Sequence, residues 1–170
     1  MSHLRRAYIG LGSNLGEPLL QIGAAWRQLS KLPQTQRVAL SQCYQSRPWG
    51  DPDQPDYINA VAALDTALPP HELLTELLAI ELRQGRERLA GRRNGPRTLD
   101  LDLLMYGDEV LHSAGLELPH PRISERPFVL LPLAEIAPGI VIPGIGPISS
   151  LLRTDFASLC WPLKHGAVAP

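Results

Sequence analysis

The chain has 170 residues, 44% hydrophobic and 19% charged, with a net charge of −1 and two cysteines. That length suits one domain, expected to span 1–170 with its core over about 7–160. The charge argues against a basic-patch nucleic-acid binder, Cys43 and Cys160 make no disulfide framework or thiolate metal cluster, and no apolar run is long enough for a membrane span. The opening Met1-Ser2-His3-Leu4-Arg5-Arg6 runs straight into a strand pattern and not a secretory leader, so a reducing, cytoplasmic setting is expected.

Ala7-Tyr8-Ile9-Gly10-Leu11 reads as a buried first strand. Gly12-Ser13-Asn14-Leu15-Gly16 follows as a tight turn, and Glu17-Pro18 opens a helix with Leu19, Leu20, Ile22, Ala25, Trp26 and Leu29 on its apolar side. The turn is a strand-to-helix connection or a phosphate cradle; it lacks the Gly-Lys-Ser/Thr ending of a P-loop. Residues 37–46 alternate as a second strand. Residues 47–56 hold three prolines and three aspartates and cannot be regular structure. A third strand over 57–64 follows, so two strands flank a long connection as a hairpin.

Pro69-Pro70 precedes an amphipathic helix over 71–82, with Leu73, Leu74, Leu77, Leu78 and Ile80 apolar and Glu72, Glu76 and Glu81 on the charged side. From Arg83 to Arg97 there are six arginines in fifteen residues. Such a run is a solvated helix end or an anion clamp. It leads into Thr98-Leu99-Asp100-Leu101-Asp102-Leu103, which alternates strictly. As a strand this puts both carboxylates on one face and three leucines on the other. Residues i and i+2 lie roughly 6–7 Å apart along a strand, a spacing at which two carboxylates can share one or two divalent cations. A solvated strand face is the plainer alternative. The arginines beside the pair favour a metal–polyphosphate site.

Gly107-Asp108 is a hairpin-turn signal, and 116–118 reads as a short strand. The stretch 119–128 is expected to introduce a helix rich in basic residues, continuing through the apolar 129–136. A short extended piece is expected within 138–144, a last short helix near Ile148-Ser149-Ser150, and a featureless tail after Trp161. The resulting order, β-α-β-β-α-β-β-α with a central hairpin, predicts an α+β, ferredoxin-like α/β sandwich: a mainly antiparallel sheet covered by helices.

Gly95-Pro96-Arg97-Thr98-Leu99-Asp100-Leu101-Asp102 closely resembles the signature of the 6-hydroxymethyl-7,8-dihydropterin pyrophosphokinase family. Supporting pieces occur in the same order: Tyr8 to Leu15, Asp53-Gln54-Pro55-Asp56-Tyr57-Ile58-Asn59-Ala60, Ile80-Glu81, Gly85-Arg86, Pro119-His120, and Arg126 with Phe128. The resemblance implies transfer of the diphosphate of ATP to the hydroxymethyl group of the pterin, releasing AMP, in folate biosynthesis, with three loops closing over the substrates. It implies two magnesium ions on Asp100 and Asp102, and ATP as co-substrate. Arg86, Arg97, Asp100 and Asp102 are then the catalytic set. Glu81, Arg86, Arg88, Arg97, Leu103, His120 and Arg126 would lie against ATP. Gly12, Ser46, Arg47, Trp49, Tyr57, Asn59 and Phe128 would form the pterin site, with Tyr57 and Phe128 sandwiching the ring. Small-molecule substrates, no nucleic acid, no membrane and a monomer are expected. Another two-metal nucleotide enzyme, such as a nucleotidyltransferase, and a non-catalytic nucleotide-binding module on the same fold are the alternatives.

Overall fold

Ala7, Ile9 and Leu11 alternate with Tyr8, Gly10 and Gly12 along β1 (Arg5–Ser13), the strand from which the molecule is laid out. The computed structural model describes residues 3–48, 52–85 and 98–164. The elements that follow β1 are α1 (Pro18–Leu29), β2 (Thr35–Leu40), β3 (Tyr44–Ser46), β4 (Tyr57–Thr66), α2 (Pro70–Arg83), β5 (Asp100–Tyr106), β6 (Leu111–Ser113), β7 (Leu116–Leu118), α3 (Pro127–Ile136), β8 (Val141–Ile142), β9 (Gly146–Pro147), α4 (Phe156–Leu159) and β10 (Cys160–Pro162). The main sheet runs β10-β3-β4-β1-β5, with β2 also paired to β4, and every pairing is antiparallel. Here β4 lies between β1 and the β2–β3 pair, and β1 between β4 and β5. Each β-α-β unit is therefore split by a strand of the other, which is the ferredoxin-like plan.

The period-2 pattern sorts side chains onto two faces. Ala7, Ile9, Leu11, Ala62, Leu64, Leu101 and Leu103 meet Ile22, Ala25 and Leu29 of α1 and Leu73, Leu77 and Ile80 of α2 in one core. Tyr8, Val61, Ala63, Leu104 and Met105 meet Val129, Leu130 and Leu133 of α3 on the other side, with Ile142, Ile148 and Phe156 completing that layer. The alternation expected from Thr98 holds through Leu103 and then breaks. Ile9 pairs with Leu103 but Tyr8 pairs with Met105, so Leu104 is an extra residue in β5. This bulge lets Leu104 and Met105 fill the same core, and the Leu104 carbonyl accepts the His120 N–H at 2.9 Å.

Several expectations are corrected. Residues 37–46 form two strands, because Ser41 interrupts them. Its N–H donates to the Val61 carbonyl and its hydroxyl accepts the Val61 N–H, both at 2.9 Å, so a side chain replaces a ladder partner. The buried stripe of α1 comprises Ile22, Gly23, Ala25 and Leu29, while Leu19 and Leu20 of the first turn are exposed. On α2, Glu81 is buried rather than solvated: 73, 77, 80 and 81 share the i, i+4, i+7, i+8 stripe, and position outweighs charge. The turn at Gly107 does not fold a hairpin back onto β5; β6 pairs with β7 instead, Leu111 opposite Leu118. The basic residues of 119–128 precede α3 rather than belong to it, since Pro127 sets its first position and Arg126 stays extended at φ −111° and ψ 102°. The tail after Trp161 begins inside β10, which pairs with β3, Cys160 opposite Ser46.

Candidate active site

On the α3 face, Asp100 lies opposite Gly12 and Asp102 opposite Gly10, while Gly12 on its other side faces Asn59. Gly10 and Gly12 carry no side chains, so they leave a floor between the acidic strand and β4. Asp100 and Asn59 are two strand spacings apart, roughly 10 Å. Ser46 and Tyr57, paired across the β3–β4 hairpin, extend the wall beyond Asn59. Arg126, just before α3, and Phe128 and Val129 in its first turn close the top, and these groups together with Arg47 line a single pocket.

The sequence is locally suited to this. Asn59 is buried and donates through Nδ2 to Ser46 Oγ at 2.9 Å, which fixes the amide's orientation and leaves its oxygen facing β1. A Cβ on Gly12 would stand 3.0 Å from that oxygen, so glycine is what allows the close approach. Ser13 and Asn14, both buried, turn their side chains toward neighbouring segments. Ser13 Oγ donates to the Thr98 carbonyl, and Asn14 Nδ2 donates to Gln54 Oε1 at 2.9 Å and to the Pro55 carbonyl at 3.0 Å. The Gly12–Gly16 turn thus ties the end of the 47–56 connection to the residue entering β5. Of its two readings, these side-chain bonds favour the structural connection over the phosphate cradle.

Charge is concentrated beside the aspartates. Arg126 Nη1 sits 3.6 Å from Asp102 Oδ2, and its guanidinium carbon lies 5.6 Å from the centre of the Phe128 ring. Burial pulls the Arg126 pKa down and Asp102 opposes it; the group stays charged. His120 is pushed down to about 4, first by burial and then by the positive field of Arg126, against an opposing pull from Asp100. It is therefore neutral at pH 7. Its Nδ1 accepts the Arg122 N–H at 3.2 Å, which puts the remaining proton on Nε2 as a donor. Unfolded imidazole titrates near 6.5, so between roughly pH 4 and 6.5 the unfolded chain binds the extra proton and stability falls on acidification. His120→Gln is expected to flatten the loss of melting temperature between about pH 7 and 5; identical slopes for the two proteins would contradict this.

Of the residues singled out from sequence, Gly12, Ser46, Arg47, Tyr57, Asn59, Asp100, Asp102, Arg126 and Phe128 come together in the pocket. His120 lies outside the lining but within electrostatic reach of Asp100 and Arg126. The Leu103 side chain is buried in the α1–α2 core, on the opposite face from the aspartates, which leaves its main chain as the part able to meet a nucleotide. Glu81 is buried on α2 and lines no part of the pocket. Trp49, Arg86, Arg88 and Arg97 lie outside the described residues. Gly10 and Val129 line the site without having been singled out. The signal for Gly10 was present, since two glycines at i and i+2 leave one strand face bare.

A family model described as 7,8-dihydro-6-hydroxymethylpterin-pyrophosphokinase matches residues 8–138, spanning both walls of the pocket and the whole of α3. The chain belongs to this family. It is accordingly an enzyme, a pyrophosphokinase. It is 49% identical to the 2-amino-4-hydroxy-6-hydroxymethyldihydropteridine pyrophosphokinase of Haemophilus influenzae over 147 residues, covering 86% of this chain and 91% of that protein. The Pseudomonas aeruginosa protein of the same name is 51% identical over 140 residues, 82% of this chain and 85% of the other. Among solved structures, a Plasmodium falciparum HPPK-DHPS triple mutant with pteroate superposes with a TM-score of 0.72 at 12% identity, covering 94% of this chain and 46% of that one. That likeness is one of fold, and this pyrophosphokinase spans about half the length of that chain.

Proposed function

We propose that this pyrophosphokinase transfers the β,γ-diphosphate of ATP to the hydroxymethyl group of 6-hydroxymethyl-7,8-dihydropterin, releasing AMP, as a step of folate biosynthesis. The observation that carries the reading is the row Asp100–Gly12–Asn59. It brings the Asp100 carboxylate and the Asn59 amide to the two sides of Gly12, where β1 carries no side chain, which supports a cation at the first and a polar reader at the second.

The residues present fit magnesium. Two carboxylates project from one face of β5, and a guanidinium already rests 3.6 Å from Asp102, so the position attracts positive charge. Among the described residues no third carboxylate, histidine or cysteine joins them. That donor set leaves coordination positions for phosphate oxygens and water, as magnesium prefers. We assign two ions to Asp100 and Asp102; when bound they neutralise phosphate charge and polarise the attacking hydroxyl.

The chain's own groups do the rest. Arg126 has a second role once phosphate arrives, since its guanidinium can turn from Asp102 to a phosphate oxygen. Neutral His120 offers Nε2–H as a further donor. Asn59 and Ser46 read the polar edge of the pterin, while Tyr57 and Phe128 cover its two faces. Diphosphate transfer asks mainly for in-line placement and charge neutralisation, and these residues supply both. By resemblance, Arg86, Arg88 and Arg97 contribute further charge to the nucleotide, and Trp49 and Arg47 to the pterin side.

Incubation with ATP, magnesium and the hydroxymethyl dihydropterin tests this. AMP and a diphosphorylated pterin are expected; release of inorganic pyrophosphate would indicate nucleotidyl transfer and overturn the reading. Gly12→Ala is expected to raise the pterin KM about tenfold by forcing Asn59 aside, with the ATP KM changed less than about twofold. Equal changes in both constants would contradict the placement of Asn59.

A further inference from the structure

The pocket's two walls belong to different layers. Ser46, Tyr57 and Asn59 stand on the sheet, while Arg126 and Phe128 stand on α3 or at its start. Most of what joins the layers is apolar: Val129, Leu130 and Leu133 against Tyr8, Val61, Ala63 and Leu104. Such packing is strong but non-directional, and does not by itself fix the helix along its axis. Strand β3 is only three residues long and follows directly on the interruption at 41–43. One side chain joins α3 to this weak point. Glu135 reaches back from the end of the helix, and its Oε1 accepts the Tyr44 hydroxyl at 2.8 Å. Its Oε2 accepts the Gln42 N–H at 2.9 Å, satisfying a backbone donor that the interruption leaves outside the ladder.

Tyr44 is placed to pass this constraint on. It is buried, it lies directly opposite Asn59 in the β3–β4 register, and it precedes Ser46 by two residues on the same face. Glu135 stands seven residues after Phe128 on α3, about 10 Å along the axis. We propose that Glu135 and Tyr44 are positioning residues for the pterin subsite, holding the Phe128 wall in register with the Ser46–Asn59 wall. Neither touches the reacting atoms. Burial, and then the bond to Glu135, push the Tyr44 phenol up to about 12, so it remains a donor throughout the working pH range.

This inference rests on the functional reading above, and its test separates the two. Tyr44→Phe removes only the hydroxyl; Glu135→Gln keeps the shape and removes the charge. Each variant, the double variant and the wild type are titrated calorimetrically with 6-hydroxymethylpterin in the presence of magnesium and a non-hydrolysable ATP analogue. The analogue is titrated separately, and melting curves confirm folding at the assay temperature. The pterin Kd is expected to rise about three- to tenfold in each single variant. The nucleotide Kd is expected to stay within about twofold, and the double variant to lose less than the two singles added together, because both substitutions act on the Tyr44–Glu135 contact. An unchanged pterin Kd in folded variants overturns the inference alone. So does an equal loss of pterin and nucleotide affinity, which is what general loosening would give. Wild-type protein that binds no pterin overturns the functional reading and the inference with it.

Discussion

Asp102→Ala is expected to lower diphosphate transfer by about a thousandfold or more while leaving the protein folded. Its side chain is one-third exposed and faces the pocket, so no core contact is lost. Leu101 and Leu103 on either side remain buried against α1 and α2, and they hold β5 in the sheet. What disappears is one of two carboxylates able to hold a cation, together with the partner of Arg126. The freed guanidinium then adds to the positive field at the position the cation would take, which makes the loss larger than that of a ligand alone. Asp102→Asn separates the contributions: it keeps the shape and an oxygen donor but not the charge. Manganese titration followed by electron paramagnetic resonance gives a readout apart from turnover, and both variants are expected to bind manganese at least about tenfold more weakly in the presence of nucleotide. Turnover within tenfold of wild type, with melting unchanged, would contradict the assignment of Asp102.

The second large effect is expected at Asn59, on the other side of Gly12 from Asp100. Asn59→Leu keeps the γ-branched skeleton and removes the amide. The pterin kcat/KM should fall about a hundredfold, because a buried site built to hydrogen-bond a polar ring edge loses both a reader and the partner that orients Ser46. Affinity for the magnesium–nucleotide complex should stay within about twofold, since Asn59 and Asp100 are separated by roughly two strand spacings. Separate calorimetric titrations with pterin and with an ATP analogue check this. A drop in nucleotide affinity matching the drop for pterin would mean that the two subsites are not divided at Gly12.

The two effects fall on parts of the molecule that were unequally legible in the sequence. The acid pair was plain because leucine and aspartate alternate over the five residues 99–103, the period of a strand with one apolar and one polar face. The hairpin around 47–56 was plain because prolines exclude regular structure there. The bulge at Leu104 was hidden, since Leu103 through Tyr106 are all apolar and both faces are buried; no pattern marks where the period slips. Glu81 was misplaced because its charge suggested solvent while its period placed it on the buried stripe. Strand β10 escaped notice because three residues near the end of the chain pair with a strand more than a hundred positions earlier. The union of Asn59, Gly12 and Asp100 in one row depends on register, which is a property of pairing and not of any one strand. Residue spacing alone indicated a cation and polyphosphate at the acidic strand. The pterin came from the family resemblance, to which the model match over residues 8–138 gives independent weight.

The central claim is that the pterin hydroxyl attacks the β-phosphorus of ATP at the acidic strand. Phosphorus NMR of the reaction run with oxygen-18 in the pterin hydroxymethyl group tests it most directly. The label is expected on the phosphorus of the new pterin diphosphate that derives from the β-phosphorus of ATP, with unlabelled AMP as the second product. Label on an α-phosphorus, or a product carrying a single phosphate beside ADP, would contradict it.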